Sequence, residues 1–234
     1  MGSRRILLLS MLALLAAVPA AAQEPASGQT AREANVAASA ASEPTGATIT
    51  FQKIFKQSTP EFVRIKVNRN GESTYDIRQL DDEPSPESFA ISPALAGKIF
   101  ALAADLQDFN GVELEVRRRV ANLGEKTFSY EKGGVTNKVS FNFTTNESAN
   151  KLLSIFEGLS LEDQYADQLR RSMRFDPLGL NDVLIRLERD LGSDMLPDPQ
   201  ALVPILNQIA SNSKYLDIAR DRARVIVASL HTAP

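Results

Sequence analysis

The chain has 234 residues, of which 43% are hydrophobic and 24% are charged, with a formal net charge of −3. This composition is that of a globular protein with one sizeable core, and its mild acidity excludes a general attraction for nucleic-acid backbones. The absence of cysteine excludes disulfides, thiolate metal sites and cysteine nucleophiles. A Ser-His-Asp triad would have to use His231, the single histidine, which lies close to the C-terminus.

Residues 1–22 have the pattern of a secretory signal peptide. Arg4 and Arg5 precede an apolar run, residues 6–18, that is too short to span a bilayer, and alanines occupy the cleavage region at residues 20–22. We expect cleavage near Ala22, release into the periplasm or the medium, and no membrane span afterwards. The two arginines fit both the general secretory and the twin-arginine route, so the route stays open. Cleavage leaves 24 of the 26 basic side chains against 29 acidic ones, a net charge of −5.

Residues 23–47 are rich in Ala, Ser, Gly, Pro and Thr, and Val36 is their one large apolar residue. Such a segment buries too little surface to offset the entropy of ordering it. We therefore predict a disordered leader here.

Alternating apolar residues predict a first strand over residues 48–55 and a hairpin over residues 61–79. A three-residue hairpin loop at residues 69–71 sets Ile65 opposite Tyr75 and Val63 opposite Ile77, which places the apolar side chains on one face. Gly71 then occupies a turn position that needs a positive φ. The acidic, proline-broken segment 80–88 is predicted to be a loop.

Residues 92–109 carry the strongest helical pattern in the chain. Ser92 can cap a helix whose first turn accepts Pro93. The apolar residues then recur at three- and four-residue steps, and they are Leu95, Ile99, Leu102, Leu106 and Phe109. We predict a central helix that packs against the strands on either side of it in the sequence.

The segment that follows the helix contains the one dense basic cluster of the chain. Val112, Leu114 and Val116 alternate as in a short strand, whereas Val112, Val116 and Val120 fit helical spacing, so both structures stay open. Val116 is followed by Arg117, Arg118 and Arg119, which we take as the candidate contact for an anion or an acidic partner. The alternative is a solvated face balanced by acids, namely Glu113, Glu115 and Glu125.

Residues 126–143 predict a second hairpin with a turn at residues 133–134, and Asn146 predicts the cap of a helix over residues 146–158. The segment 160–163 resembles a capping box, which predicts the start of a separate helix at Ser160. The rest of the chain shows helical periodicity.

The segments VRIKVNRNGESTYDI, ISPALAGKIFALAADL and TFSYEKGGVTNKVSFNF resemble a family of exported bacterial proteins of unknown function, and this resemblance covers residues 49–160. In that family a hairpin with a glycine turn is followed by a helix and a second hairpin. The resemblance implies an exported bacterial domain and brings no activity, ligand or catalytic residue with it.

We predict an α+β fold: an antiparallel sheet of about four strands over residues 48–160, with packed helices, followed by an all-helical region over residues 161–234 that packs on it. No cofactor, metal or nucleic-acid motif is found. We expect a non-enzymatic protein that binds a protein or envelope component. The alternative is a hydrolase that uses carboxylates in a cleft between the sheet and the helical region, where two or more carboxylates would converge and at least one would be desolvated. The sequence leaves the oligomeric state open.

Overall fold

A computed structural model describes residues 46–232. The predicted signal peptide, residues 1–22, and residues 23–45 of the predicted leader lie outside the described residues. Ala47, at the end of that leader, is buried, and its carbonyl oxygen accepts a 3.3 Å hydrogen bond from the Arg69 N–H. The hydrophobic core therefore begins at least one residue before the boundary that the sequence predicts.

Six strands form one antiparallel sheet in the order β4-β3-β2-β1-β5-β6. Their bounds are β1 Thr48–Ile54, β2 Phe62–Asn68, β3 Glu72–Arg78, β4 Glu87–Ala90, β5 Glu125–Lys132 and β6 Val135–Phe141. The predicted fold class is correct, but the expectation of about four strands is too low.

The register of the β2–β3 hairpin is the predicted one. Ile65 lies opposite Tyr75 and Val63 opposite Ile77, and Gly71 has a φ of +88°. β4 was not predicted, and its first two residues fall in the predicted loop 80–88. It has four residues, follows a proline-broken segment and depends on its pairing with β3, so its own pattern gives no strand signal.

Two helices cover one face of the sheet. They are α1, Pro93–Asp105, and the N-terminal half of α2, Glu147–Phe175. Between them and the sheet lies a closely packed set of rings, in which Phe51 stacks on Phe156 at 5.1 Å and Phe109 on Phe128 at 5.5 Å between centroids. Ser92 caps α1 as predicted, since its Oγ accepts from the Leu95 N–H at 3.3 Å.

The opposite face of the sheet is polar. The side chains that alternate with the core residues on the central strands are mostly Thr, Ser, Gln, Lys and Arg. Phe62 and Ile54, which lie opposite each other on β2 and β1, are the large apolar exceptions. The guanidinium groups of Arg64 and Arg78 lie over the Phe62 ring at 5.1 and 4.4 Å and help to bury it. Such cation–π contacts let an apolar ring occupy a face that otherwise meets water.

The prediction of a separate helix at Ser160 is wrong, because α2 runs without a break through this position. The residues that resemble a capping box bond elsewhere: the Ser160 carbonyl and hydroxyl oxygens both accept from the Gln164 amide, at 3.1 and 3.3 Å. A turn of α2 that the sequence marks as a helix start is therefore an interior turn with polar side chains.

The C-terminal half of α2 packs in a second hydrophobic cluster with α3 Leu180–Leu191, α4 Val203–Ser211 and α5 Asp217–Thr232. Short 3₁₀ turns at Gln107–Phe109 and Pro199–Leu202 follow α1 and precede α4. Because α2 contributes to both clusters, it joins the sheet to the helical region. Among residues 46–232, no helix combines the length and apolarity that crossing a membrane requires.

Candidate functional site

Arg117, Arg118 and Arg119 lie together on the irregular segment 110–124, between the first 3₁₀ turn and β5, and all three are exposed. This segment is neither of the two structures that the sequence left open at residues 112–116. Arg117 pairs with Glu113 at 3.2 Å, although its side chain stays 89% exposed. The Arg118 guanidinium lies 5.8 Å from the centre of the Phe143 ring.

The acids that were expected to balance this cluster do so only in part. Among the described residues, Glu113 forms the one ion pair with an arginine of the cluster, and an exposed pair of this kind contributes about 0–1 kcal/mol. The Glu115 carboxylate accepts the backbone N–H of Asn142 instead. The alternative of a charge-balanced solvated face therefore fits only Arg117.

Asn142 holds the arginine segment against the end of β6. Its side-chain oxygen accepts the Leu123 N–H at 2.7 Å, and its side-chain nitrogen donates to the Ala121 carbonyl at 2.8 Å. With the Glu115 contact to the Asn142 N–H, three hydrogen bonds connect this residue to both sides of the arginines in the sequence.

Lys126 fixes the C-terminal end of the same segment. Its side chain is buried, and Nζ donates to the carbonyl oxygens of Leu123, Gly124 and Asn142 at 3.0, 3.0 and 2.8 Å. Burial lowers the pKa of Lys126, and the neighbouring Lys53 acts in the same direction. All three donors of the ammonium group are used inside the fold, so Lys126 positions the segment and does not offer its charge to a partner.

Replacing Asn142 with alanine should loosen the arginine segment. The change removes two side-chain hydrogen bonds of about 1 kcal/mol each, so the segment should open roughly tenfold or more often. Limited trypsin digestion, which cleaves after Arg117, Arg118 and Arg119, measures this opening directly. The exposed β6 residue Thr136 provides the control, since Thr136→Ala should be cut at the wild-type rate. If trypsin cut the Asn142→Ala protein equally slowly, Asn142 would not be what holds the arginine segment.

A second polar cluster, which sequence reasoning missed, lies at the middle of α2. The Glu162 carboxylate is buried and accepts the backbone N–H of Asp198 at 2.6 Å, and the Asp198 carboxylate accepts the backbone N–H of Ser92 at 2.6 Å. This chain of contacts connects α2, the segment before the second 3₁₀ turn and the N-cap of α1. We call it the carboxylate junction. Its partners are 36 and 106 residues apart in sequence, so no local pattern reveals it.

Asp163 extends this polar region toward the sheet. The Tyr75 hydroxyl donates to Glu87 on β4 at 2.9 Å and also lies near Asp163. Burial raises the pKa of Asp163 to about 6, against the opposing effect of the Tyr75 hydrogen bond. Burial likewise raises the pKa of Glu162 to about 8, and the nearby Asp198 carboxylate adds to this while the backbone hydrogen bond opposes it.

The carboxylate junction meets only part of the expectation for a hydrolase. Two carboxylates converge and one of them is desolvated, but Glu162 and Asp198 each use an oxygen to hold a backbone N–H. The cleft between the sheet and α2 contains a single carboxylate, Glu157, which is paired with Lys53 at 2.8 Å. Within residues 46–232, no three Asp, Glu, His or Cys side chains are placed to hold a metal ion.

The chain matches no protein-family model and no curated protein. Among solved structures, it is similar to an SsgA-like sporulation-specific cell division protein from Thermobifida fusca, with 13% sequence identity over 48% of this chain and 80% of that chain. The TM-score is 0.16. At that value the likeness supports no conclusion about fold or function.

Proposed function

We propose that this chain is an exported, non-enzymatic protein of the cell envelope that binds an anionic partner through Arg117, Arg118 and Arg119. The observation that carries the proposal is the arginine segment itself: three consecutive exposed guanidinium groups on a segment held by Asn142 and Lys126. The planar fork of a guanidinium suits carboxylate and phosphate oxygens. The partner is therefore an acidic protein or another anionic component of the envelope.

The way in which the segment is held favours binding. Residues that are already ordered in the free protein lose less conformational entropy when a partner arrives. The arginines are exposed on an otherwise mildly acidic chain, so they can also orient an anionic partner during its approach.

Export is part of the same proposal, and it is supported by the sequence of residues 1–22. The charged start, the short apolar run and the alanine-rich cleavage region fit release to the periplasm or the medium. We also propose that the chain belongs to the family of exported bacterial proteins that its sequence resembles.

We place binding ahead of carboxylate hydrolysis because of how the acidic oxygens are used. A catalytic carboxylate must face a space that admits a substrate, and neither Glu162 nor Asp198 lines the cleft between the sheet and α2. In the carboxylate junction, Glu162 and Asp198 hold the Asp198 and Ser92 N–H groups and so connect parts of the fold. A role in joining structural elements accounts for both contacts.

Capture from an envelope extract of the organism that makes the protein tests the proposal. The protein, expressed from its full sequence and purified, is compared with the triple variant Arg117→Glu, Arg118→Glu, Arg119→Glu. We expect quantitative mass spectrometry to find a partner that the wild type retains and that the triple variant retains at least tenfold less.

A second triple variant separates a local contact from an effect of net charge. Lys98→Glu, Lys132→Glu and Lys214→Glu change three exposed, dispersed lysines and alter the net charge by the same amount. This variant should retain the partner as the wild type does. Equal capture by the arginine variant, or equal loss in both variants, would refute a specific role of the arginine segment.

A further inference from the structure

A cleft of about 220 Å³ lies between the β1–β2 loop and the middle of α2. At about 30 Å³ for each water molecule in the liquid, it has room for about seven waters. This space fits a small metabolite rather than a peptide or a drug-sized ligand. The lining side chains divide into an apolar floor, a charged mouth and two polar groups on α2.

The floor and one wall of the cleft are apolar. They are formed by Phe51, Phe55, Pro60 and Val63. Phe51 is fully buried among the stacked rings of the core and Val63 is nearly so, which leaves Phe55 and Pro60 as the partly exposed apolar side chains that a ligand can cover. An aliphatic group placed on this floor would gain about 25 cal/mol for each Å² of apolar surface removed from water.

The loop that forms the wall is fixed by its own hydrogen bonds. The Phe55 N–H donates to the Glu61 carbonyl at 2.8 Å, and the Gln57 N–H donates to the Glu61 carboxylate at 2.6 Å. The Ser58 hydroxyl lies 2.6 Å from the carbonyl oxygens of Phe55 and Pro60. The cleft is therefore preformed, which lowers the entropic cost of binding.

The mouth of the cleft holds a pair of opposite charges. Lys53 on β1 and Glu157 on α2 are 2.8 Å apart, and their side chains are 27% and 45% exposed. A ligand with only a carboxylate would separate this pair and leave Glu157 unpaired, and a ligand with only an ammonium would leave Lys53 unpaired. A zwitterion can enter between the two and give each of them an opposite charge.

Two uncharged groups on α2 add hydrogen-bonding capacity. The Ser160 hydroxyl and the Gln164 side chain both line the cleft, and the Gln164 amide nitrogen already bonds to Ser160. That contact orients the Gln164 side chain and leaves its amide oxygen available as an acceptor.

We propose that this cleft binds a small zwitterion with an apolar side chain, of the class of the aliphatic amino acids. The carboxylate pairs with Lys53, the ammonium group pairs with Glu157, and the side chain lies against Phe55 and Pro60. None of the three arginines lines the cleft, so the two proposals can be refuted separately.

Titration of the full-sequence protein with L-leucine, followed by amide NMR shifts, tests the proposal. Three smaller probes each lack one recognition element: glycine lacks the side chain, 4-methylpentanoate lacks the ammonium and 3-methylbutylamine lacks the carboxylate. We expect leucine to shift amides around Lys53 and Ser160, and each of the other probes to bind at least tenfold more weakly. Equal binding of the amine or the carboxylate would overturn the zwitterion, and no shift with leucine at millimolar concentration would overturn the site.

Matched variants place the ligand in the cleft. Lys53→Met and Glu157→Gln should each weaken leucine binding at least tenfold, with the fold verified by the unchanged remainder of the amide spectrum. Glu147 and Lys151 form another ion pair on α2, at 2.6 Å, outside the cleft. Glu147→Gln and Lys151→Met should bind leucine as the wild type does, whereas unchanged binding in the two cleft variants would contradict the proposal.

Discussion

Replacing Gly158 with alanine is expected to destabilise the protein by about 1–3 kcal/mol, although alanine is the better helix former. Gly158 lies in α2 where the segment 195–197 crosses it. A Cβ atom at this position would lie 2.5 Å from the Pro197 Cδ and 2.6 Å from the Met195 carbonyl oxygen. Either the helix or the crossing segment must move, and the carboxylate junction lies within one turn of the contact. Thermal or urea unfolding measures the loss.

Gly97, in α1, provides the matched control. It is also a helical glycine, but it is exposed, and a Cβ atom there would have no heavy atom within 4 Å. Gly97→Ala should therefore stabilise the protein by about 0.5–1 kcal/mol through helix propensity alone. If both substitutions changed the free energy of unfolding in the same direction, the short distances from position 158 to Met195 and Pro197 would not explain why this residue is a glycine.

The stability of the folded protein should fall as the pH rises from about 4.5 to about 8. Burial raises the pKa of Glu162 from its ordinary value near 4.5 to about 8, so between these values the folded chain binds a proton that the unfolded chain has released. This contribution of Glu162 to the free energy of unfolding is fully present below pH 4.5 and is lost as the pH rises through about 8. The slope is up to about 1.4 kcal/mol per pH unit. Over the whole interval we expect a loss of roughly 3–5 kcal/mol. Asp163, with its pKa raised to about 6, adds to the loss in the acidic part of the range.

Glu162→Gln isolates this effect. Glutamine keeps an oxygen that can accept the Asp198 N–H but cannot ionise. The variant should match the wild type at pH 4.5 and be more stable by a few kcal/mol at pH 8, as urea unfolding at the two pH values would show. Glu147→Gln, at an exposed glutamate on the same helix, should leave the decline between about pH 5.5 and pH 8 unchanged, because the Lys151 hydrogen bond lowers the pKa of Glu147 and keeps it ionised there. A wild-type stability that rises between pH 5 and pH 8 would contradict the account of Glu162.

Local sequence patterns predicted the elements whose cause is local. The β2–β3 register follows from period-two alternation and from a loop that needs a positive φ at Gly71. The capped start of α1 at Ser92 and the buried stripe from Leu95 to Leu102 follow from helical spacing. The predicted continuation of the helix to Phe109 is wrong, because α1 ends at Asp105 and Phe109 is buried from a 3₁₀ turn whose residues have positive φ.

The errors concern features whose cause is distant in sequence. β4 is a strand because β3 offers it an edge. The Ser160 turn resembles a helix start because the residue types that cap helices also form buried hydrogen bonds inside a fold. Glu162 meets Asp198 only in the folded chain, since the two are 36 residues apart in sequence. The arginine cluster was visible in the sequence, but the hydrogen bonds from Asn142 and Lys126 that hold it were not.

The measurement that tests the proposed function most directly is the affinity of the purified protein for isolated envelope, determined by co-sedimentation over a range of salt concentrations. We predict saturable binding by the wild type that weakens as salt screens the arginines, and a loss of at least tenfold in the triple variant of Arg117, Arg118 and Arg119. The triple variant of Lys98, Lys132 and Lys214 should bind as the wild type does. Binding that is insensitive to salt and unchanged by reversal of the three arginines would contradict the role that we assign to the arginine segment.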